Sequence, residues 1–345
     1  MSTSSFLSAC HREPTSYTPI WLMRQAGRYL PGYRRLREQA GSFWALCETP
    51  ELAVSVSLEP VHRFGLDAAI IFSDIMILPR AMGLDVEFTE GKGPVVQNPV
   101  REKKDIDRLC IPHAEESYPF LPQAISALKE ELGTTPLIGF TASPFTLACY
   151  MAEGQGKGDF LAARALCHRA PDIFSSLIEK NEKAVIACLV AQVQAGADAV
   201  MLFDTWGGLL PHALWQKFSL APMRRVIEAL APLSVPVIVF VKGAGAWLED
   251  LGQSGAQVVG LDTAAPLDRA RALLPQAALQ GNLDPAALLA GQEAIEREAA
   301  QLLEAHGPSS GHIFNLGHGV LPQTPPDAVA RLVDFVHEKS ARLRA

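Results

Sequence analysis

Eight short apolar runs, rich in β-branched residues, recur along the chain, and most of them end on a polar residue or a glycine. They are residues 19–23, 68–74, 136–141, 199–204, 236–241, 257–262, 277–282 and 313–318. Most of these runs are nearly continuous in their apolar character, which is typical of parallel strands that are buried on both faces. The pattern therefore predicts eight parallel strands.

Helical patterns lie between these runs. Thr49, Pro50 and Glu51 supply a cap, a proline at the first helical position and an early acid, and Gly65 ends the same helix. Residues 159–195 predict two helices that are divided near Pro171. Three more helices are expected at 211–230, 284–306 and 324–342. Residues 84–96 depart from the alternation and predict a β-hairpin inserted after the second strand.

Eight strand–helix units in 345 residues, without a break in composition, predict a (β/α)8 TIM barrel. We expect a single domain over residues 1–345, with a short N-terminal tail to about residue 17. A doubly wound sheet is the alternative, but it would need a glycine-rich GxGxxG turn after an early strand, and the chain has none. Enzymes with the barrel fold carry their chemistry at the carboxyl ends of the strands.

Composition narrows the classes of function. The chain is 48% hydrophobic and 19% charged, which excludes a disordered or fibrous protein. Its net charge of −7 argues against a general nucleic-acid binder, so any anionic ligand needs a local cluster of basic residues. The six cysteines show no CxxC spacing, which favours free thiols in a reducing compartment. Neither a signal peptide nor a run of 18 apolar residues is present, so we predict a cytoplasmic protein that spans no membrane.

The segment that follows the first strand carries the clearest candidate binding residues. Arg24 and Arg28 flank Gln25, Ala26 and Gly27, and the two small residues let the backbone approach a ligand closely. Each guanidinium group can bind a carboxylate or phosphate through two parallel hydrogen bonds. A solvated basic loop with structural ion pairs is the alternative, and it is stronger for the three arginines further along, Arg34, Arg35 and Arg37.

Asp74 follows the second strand and lies among strongly apolar neighbours. A carboxylate in such surroundings is costly unless it meets hydrogen-bond donors or a cation. It would suit a ligand with N–H donors or a positive charge that develops during a reaction. An internal salt bridge is the alternative.

Four further strand ends carry reactive side chains. Tyr150 follows the third strand, Thr205 the fourth, Lys242 the fifth and His318 the eighth. Tyr150 could donate a hydrogen bond or simply pack, and Thr205 offers a hydroxyl group. His318, between two glycines, could act as an acid, a base, a carboxylate partner or a cap. Lys242 could form a Schiff base, although no neighbouring residue supports that role.

Cofactor signatures are weak throughout. The chain has no HxC, HExxH or CxxC motif, and its nine histidines are scattered. Nothing signals a flavin, a nicotinamide or a pyridoxal cofactor. The stretch from Gly154 to Gly158 resembles a phosphate loop only loosely, since it lacks the GK[ST] ending. We therefore expect neither a metal nor an organic cofactor.

Six segments in the same order resemble the uroporphyrinogen decarboxylase family. They are MRQAGRYLPGYR at 23–34, AAIIFSDI at 68–75, SPFTLACYMAEG at 143–154, FDTWGG at 203–208, GNLDP at 281–285 and NLGHGV at 315–320. The resemblance extends from about Pro19 to His337, nearly the whole chain, and its first and last segments are the most specific.

The resemblance implies a single-domain barrel, usually a homodimer, without a metal or an organic cofactor. Enzymes of the family remove carbon dioxide from the four acetate side chains of uroporphyrinogen III and produce coproporphyrinogen III, on the route to haem. The family's substrate-binding stretch falls on residues 24–28, and its essential acid on Asp74. Its tyrosine falls on Tyr150 and its histidine on His318. Thr205 stands where some members carry serine, which keeps the hydroxyl group.

The expected chemistry agrees with these residues. Arginines must bind the eight carboxylates of the substrate, and Asp74 can accept hydrogen bonds from the four pyrrole N–H groups. A protonated pyrrole can take up the electrons released with carbon dioxide, and Asp74 would stabilise that cation. Arg24 or Arg28 would then supply or organise the proton, while Tyr150 and His318 orient carboxylates.

Two alternative functions remain. One is a zinc-dependent, corrinoid-linked methyltransferase of the same superfamily, which would use a His-x-Cys pair near the fifth strand and a later cysteine. Here residues 239–243 read VFVKG, and no cysteine follows Cys188. The other is a tetrapyrrole-binding protein without catalytic activity. Arg24, Arg28, Asp74, Tyr150 and His318 argue against it together.

Overall fold

The computed structural model describes residues 4–89, 93–156 and 158–345. Its strands are β1 (Ala69–Ile70), β2 (Val86–Thr89), β3 (Gly93–Val96), β4 (Leu137–Ala142), β5 (Ala199–Asp204), β6 (Val237–Val241), β7 (Val258–Gly260), β8 (Ala278–Gln280) and β9 (His312–Ile313).

The helices lie before, between and after these strands. They are α1 (Ser5–Cys10), α2 (Pro31–Ala40), α3 (Phe43–Glu48), α4 (Pro50–Phe64), α5 (Ile77–Ala81), α6 (Lys103–Arg108), α7 (Ala114–Ser117), α8 (Phe120–Leu132), α9 (Pro144–Glu153), α10 (Leu161–Arg169), α11 (Pro171–Gln194), α12 (His212–Trp215), α13 (Ala221–Leu230), α14 (Leu248–Gly252), α15 (Leu267–Leu273), α16 (Gln292–His306) and α17 (Pro326–Arg344).

Seven strands form a curled parallel sheet in the order β1-β4-β5-β6-β7-β8-β9. The segment around Ile20 closes the ring. Ile20 pairs in parallel with Phe314, just after β9, and its carbonyl accepts the N–H of Asp67, just before β1, at 2.9 Å. The predicted (β/α)8 barrel is therefore confirmed, with the Ile20 segment as the first of the eight segments that form its wall.

Several strands are shorter than the apolar runs that predicted them. The run 68–74 contributes only β1 to the ladder, because the N–H of Phe72 turns away to the hydroxyl of Ser57 at 2.9 Å. The N–H of Ile71 still donates to the carbonyl of Ile138 at 3.1 Å, and residues 72–74 then leave the sheet and enter the mouth of the barrel. The run 313–318 continues to pair after β9, because Phe314 pairs with Ile20 and Leu316 pairs with Leu283.

The inserted hairpin is confirmed. Strands β2 and β3 pair antiparallel, with Val86 opposite Val96 and Thr89 opposite Gly93. Residues 90–92, between the two strands in the sequence, lie outside the described residues. So does Lys157, within the glycine-rich stretch that loosely resembled a phosphate loop.

Most predicted helices are found near their expected bounds. Helix α4 ends at Gly65, which adopts φ +66°, and α10 and α11 divide at Pro171. Two expectations need correction. A π-helical turn at 216–220 interrupts the helix expected over 211–230. The helix expected from 284 begins only at Gln292, after a 3₁₀ turn at 285–289.

Part of the expected N-terminal tail packs against the barrel. Helix α1 lies within it, and its Phe6, Ala9 and Cys10 are buried. They pack with Trp21 and Ile313 beneath the barrel, in a cluster that continues into the barrel interior. A run as short as SFLSAC does not reveal this packing in the sequence.

None of the helices in the described part of the chain is both long and apolar enough to cross a bilayer.

Candidate active site

The arginine turn, residues 23–28, is fixed to the loop after β9. The N–H of Met23 donates to Oδ1 of Asn315 at 3.0 Å, and the carbonyl of Met23 accepts the N–H of Val320 at 2.9 Å. Arg24 adopts φ +60°, a left-handed conformation that is uncommon for a residue with a side chain. Such a conformation persists where the surrounding contacts enforce it, and it often marks a functional site.

Gln25 holds the other side of the turn. It is fully buried, its Nε2 donates to the carbonyl of Ala68 at 3.4 Å, and its Oε1 accepts the N–H of Leu22 at 3.3 Å. The side chain is therefore engaged within the protein and ties the turn to the start of β1. Ala26 and Gly27 are half-buried on the same turn.

The structure separates the arginines into two groups. The side chains of Arg24 and Arg28 are exposed, and neither forms an ion pair within the described residues. Arg34 instead donates to the carbonyl of Arg28 at 2.8 Å, and the guanidinium carbon of Arg37 lies 6.0 Å from the centre of the Phe43 ring. Arg34 and Arg37 thus support the loop, whereas Arg24 and Arg28 are available to a ligand.

Arg24 lies against Gly319 in the loop after β9. A Cβ atom at position 319 would stand 2.3 Å from Cδ of Arg24, closer than two carbon atoms approach without displacement. The absence of a side chain at Gly319 is therefore what leaves room for the alkyl part of Arg24. The sequence offered no reason to select this glycine over its neighbour Gly317.

Asp74 retains a little accessible surface, although its carboxyl group lies deep among apolar neighbours. Burial raises the pKa of this group to about 6, while the hydrogen bond from Met76 and the charge of Arg24 oppose the rise. The N–H of Met76 donates to Oδ1 at 2.8 Å. No ion pair within the described residues involves Asp74. The carboxyl group can therefore still accept hydrogen bonds from a ligand.

Tyr150 belongs to the same site. Its ring, on α9, packs edge-on against Phe160 and Trp206, with centroids at 5.3 Å and 6.3 Å. Burial raises the pKa of its hydroxyl group, the charge of Asp74 raises it further, and the charge of Arg24 lowers it. Tyr150 therefore lies within electrostatic range of Asp74 and Arg24 at the mouth of the barrel.

His318 is a neutral hydrogen-bond donor at pH 7. Its Nδ1 accepts the N–H of Gly319 at 2.7 Å, which assigns the ring proton to Nε2. Burial lowers the pKa of the imidazole to about 4, and the charges of Arg24 and Lys242 contribute to the decrease. Of the roles expected for His318, this geometry favours a carboxylate partner over a general acid.

The turn that carries Thr205 is fixed by the preceding residue. Asp204 is fully buried, and its carboxyl group accepts hydrogen bonds from the hydroxyls of Ser143, Thr146 and Ser219. Burial raises the pKa of Asp204, and the three hydroxyl donors oppose the rise. Thr205 itself is half-buried at the mouth.

The sequence does not predict the positioning roles of Gln25 and Asn315. Its pattern places Gln25 among the binding residues, and Asn315 occurs in it only as part of a motif. One signal could have found them, namely a polar side chain at a position where the neighbouring residues are buried and apolar. Such a side chain must find a partner, and here the partners are backbone groups of Met23, in the arginine turn, and of Leu22 and Ala68 beside it.

Potential metal ligands do not converge in the part of the chain that the structure describes, where no three His, Cys, Asp or Glu side chains are grouped closely enough to hold an ion. Five of the six cysteines are buried as free thiols, and Cys110 is exposed.

Comparison with known proteins shows which family this chain resembles. A family model described as uroporphyrinogen decarboxylase (URO-D) matches residues 1–339. Proteins named uroporphyrinogen decarboxylase from Azoarcus sp. (strain BH72) and from Nitrosococcus oceani are 47% and 48% identical to this chain. The first alignment covers 100% of this chain and 98% of the relative, and the second covers 99% and 97%.

The fold has a counterpart among solved structures. A methyltransferase from Methanosarcina mazei superposes with a TM-score of 0.83 at 20% identity, over 98% of this chain and 99% of that chain. At this low identity the likeness shows the fold alone.

Proposed function

This chain belongs to the uroporphyrinogen decarboxylase family, and we propose that it removes carbon dioxide from the four acetate side chains of uroporphyrinogen III to give coproporphyrinogen III. The observation that carries the proposal is the environment of Asp74. The carboxyl group of the half-buried Asp74, with one backbone donor and a raised pKa, stands at the mouth of the barrel, beside the exposed Arg24. It suits a ligand that brings its own N–H donors and carboxylates.

Asp74 has two roles in this proposal. Its carboxylate accepts hydrogen bonds from the pyrrole N–H groups, which converge on the centre of the macrocycle. It then stabilises the positive charge that forms when a pyrrole is protonated at its α-carbon. Charge stabilisation of this kind, in a site that excludes water, is often worth about 3–4 kcal/mol for one group.

The proposed steps balance in electrons and protons. The protonated pyrrole accepts the electron pair of the bond that breaks as carbon dioxide leaves the acetate. The exocyclic methylene group that remains takes up a proton and becomes a methyl group, and the α-carbon returns its proton. Each decarboxylation therefore consumes one proton overall, and four of them convert four acetates into four methyl groups.

The basic residues bind carboxylates and organise this proton transfer. Arg24 and Arg28 bind acetate or propionate groups, and one of them supplies or organises the proton. Guanidinium groups remain protonated in proteins, so a relay through an ordered water or a substrate carboxyl group is consistent with this role. Gln25 shapes the arginine turn from within, and Ala26 and Gly27 allow the substrate to approach its backbone.

Three uncharged groups complete the site. His318 donates from Nε2 to a substrate carboxylate, which agrees with its neutral state at pH 7. Tyr150, held between Phe160 and Trp206, donates its hydroxyl proton near Asp74. Thr205 provides a further hydroxyl group at the end of β5.

The wider context follows from the family and the composition. We propose a cytoplasmic homodimer that needs no metal or organic cofactor and binds neither nucleic acid nor membrane. Sedimentation equilibrium at micromolar protein would test the dimer, and twice the mass of one chain is the expected result. A single-chain mass at that concentration would contradict it.

Product analysis tests the proposed function. Metal-stripped protein is incubated anaerobically with uroporphyrinogen III, and the products are separated by their number of carboxylates. We expect the hepta-, hexa-, penta- and tetracarboxylate porphyrinogens to form in sequence. Tight binding without product would favour a binding protein, and the loss of both would show that the ligand is wrong. The variant Asp74→Asn is the matched control, because it keeps the shape of the side chain and removes its charge.

A further inference from the structure

Lys242 stands on the far side of the barrel mouth from the arginine turn. In one direction around the barrel, the Ile20 segment is followed by β1, β4, β5 and β6. In the opposite direction, the Ile20 segment is followed by β9, β8, β7 and β6. The strand β6 is therefore four places from the Ile20 segment both ways, and Lys242 follows β6 directly, as Arg24 follows the Ile20 segment.

The ammonium group of Lys242 is held at the wall of the mouth without a carboxylate partner. Its Nζ lies 5.8 Å from the centre of the Trp206 ring, a distance at which a cation is attracted to the face of an aromatic group. The side chain is exposed, and none of the lysine ion pairs in the described ranges involves Lys242. The charge also reaches His318, since it contributes to the environment that keeps the imidazole neutral.

The proposed substrate needs a cation in this place. Its carboxylates surround the macrocycle on every side, whereas Arg24 and Arg28 both come from one side of the mouth. Within the three residues that follow each of the strands β1 and β4–β9, Lys242 is the single lysine or arginine in the described part of the chain. Without it, the carboxylates on the far side would face the ends of β5 and β7, which carry the acids Asp204 and Asp262.

We propose that Lys242 binds a carboxylate on the side of the tetrapyrrole opposite the one held by Arg24 and Arg28, with Asp74 beneath the N–H groups between them. This inference rests on the proposed function. Lys242 acts here as a binding residue for every intermediate, because each pyrrole ring keeps its propionate throughout the reaction. It takes no part in proton transfer, so its removal weakens binding more than turnover.

The decisive variants change the charge at position 242 and leave Asp74 untouched. Lys242→Met removes the ammonium group and keeps the length of the side chain, and Lys242→Arg restores a cation. Lys183→Met is the matched control, because Lys183 is an exposed lysine of α11, outside the barrel. Steady-state kinetics with uroporphyrinogen III, run anaerobically, and equilibrium binding of coproporphyrinogen III are measured for all four proteins.

We expect Lys242→Met to raise KM and the Kd of coproporphyrinogen III about tenfold each, with kcat within about threefold of the wild type. Lys242→Arg should recover most of the affinity, and Lys183→Met should match the wild type. An unchanged KM and Kd in Lys242→Met, with an active wild-type protein, would overturn the role of Lys242 alone. An equal loss in Lys242→Met and Lys183→Met would also overturn it. A wild-type protein that neither binds nor converts tetrapyrroles would overturn the proposed function and this inference together.

Discussion

Asp74 and Asp204 both lie where a barrel strand gives way to the mouth, yet the protein treats their carboxyl groups in opposite ways. Asp204 is fully buried and receives three hydroxyl donors, from Ser143, Thr146 and Ser219. Asp74 keeps some accessible surface and receives one backbone donor, from Met76. Burial raises the pKa of both carboxyl groups.

The difference separates a structural carboxylate from one that is prepared for a ligand. The donors around Asp204 engage both of its oxygens and fix the turn that carries Thr205. Asp74 has fewer donors, so the cost of removing its carboxylate from water is only partly offset. A ligand with N–H groups can supply the remaining hydrogen bonds. The number of hydrogen-bond donors around a buried carboxyl group therefore distinguishes a structural role from a ligand-binding role, whereas burial alone does not.

The largest expected effect comes from Asp74→Asn. Turnover of uroporphyrinogen III should fall by roughly 10²–10³, because the amide cannot stabilise the cationic pyrrole. Folding stability should not fall with it. The pKa of Asp74 is about 6 in the folded chain, above its usual value of 3.8, so the charged form opposes folding. That cost develops as the pH rises through the interval from 3.8 to 6 and is complete at pH 7.

Removing the charge should thus raise the free energy of unfolding by an amount on the order of 1–3 kcal/mol at pH 7. Anaerobic turnover and urea unfolding, measured on the same preparation, check the two halves of this prediction. Retained turnover would rule out the role of Asp74 in charge stabilisation, and a loss of stability would show that Asp74 is structural, like Asp204.

The second effect sharpens the comparison from the other side. Asp204→Ala should lower the free energy of unfolding by about 3 kcal/mol, since it leaves three buried hydroxyl groups without their shared acceptor. Asp204→Asn retains an acceptor oxygen and should lose about half as much. Urea unfolding of both variants gives the answer. A value within about 0.5 kcal/mol of the wild type for Asp204→Ala, the usual range for surface changes, would contradict the structural role.

The third effect concerns the cation beside Asp74. Gly319→Ala places a methyl group 2.3 Å from the position of Cδ of Arg24, so the arginine must move. We expect kcat/KM to fall by about 10–100-fold, while the unfolding transition stays close to that of the wild type. Gly245→Ala is the control, because its Cβ would meet no atom closer than 3.6 Å. Equal activity in the two variants would show that the position of Arg24 does not matter for the reaction.

The smallest effect is a pH dependence. The quantity kcat/KM reports groups of the free enzyme, and it should fall below about pH 6 as Asp74 takes up a proton and loses its negative charge. His318 is not the source, since its pKa of about 4 keeps it neutral over this range. The acidic limb should therefore remain in His318→Gln, whatever its absolute rate. Its disappearance in that variant would assign the limb to His318.

The sequence predicted the barrel well, because strands buried on both faces leave a strong apolar signal. The sequence predicted less well how the barrel closes between its first and last strands. The Ile20 segment carries a strand-like pattern, yet only Ile20 enters the ladder, since the residues after it turn to form the arginine turn. The packing of α1 beneath the barrel left no periodic signal in six residues.

The candidate site shows the same limit at the level of side chains. Asp74 stands out in the sequence as a lone charge among apolar residues, and Arg24 stands out as part of a local basic cluster in an acidic chain. The roles of Asn315 and Gly319 depend on contacts between the two ends of the chain, at Met23 and Arg24. The contrast between Asp74 and Asp204 depends on donors that come from other strands and helices, so only the folded chain reveals it.

The most direct test of the central claim is an infrared titration of the Asp74 carboxyl group, isolated as the difference between the wild type and Asp74→Asn. It is carried out with and without coproporphyrinogen III, which binds without further reaction. We predict a pKa of about 6 in the free protein, and a decrease of about one unit or more in the complex, because the pyrrole N–H groups stabilise the carboxylate. A pKa that stays the same or rises on binding would contradict the claim that Asp74 accepts those hydrogen bonds.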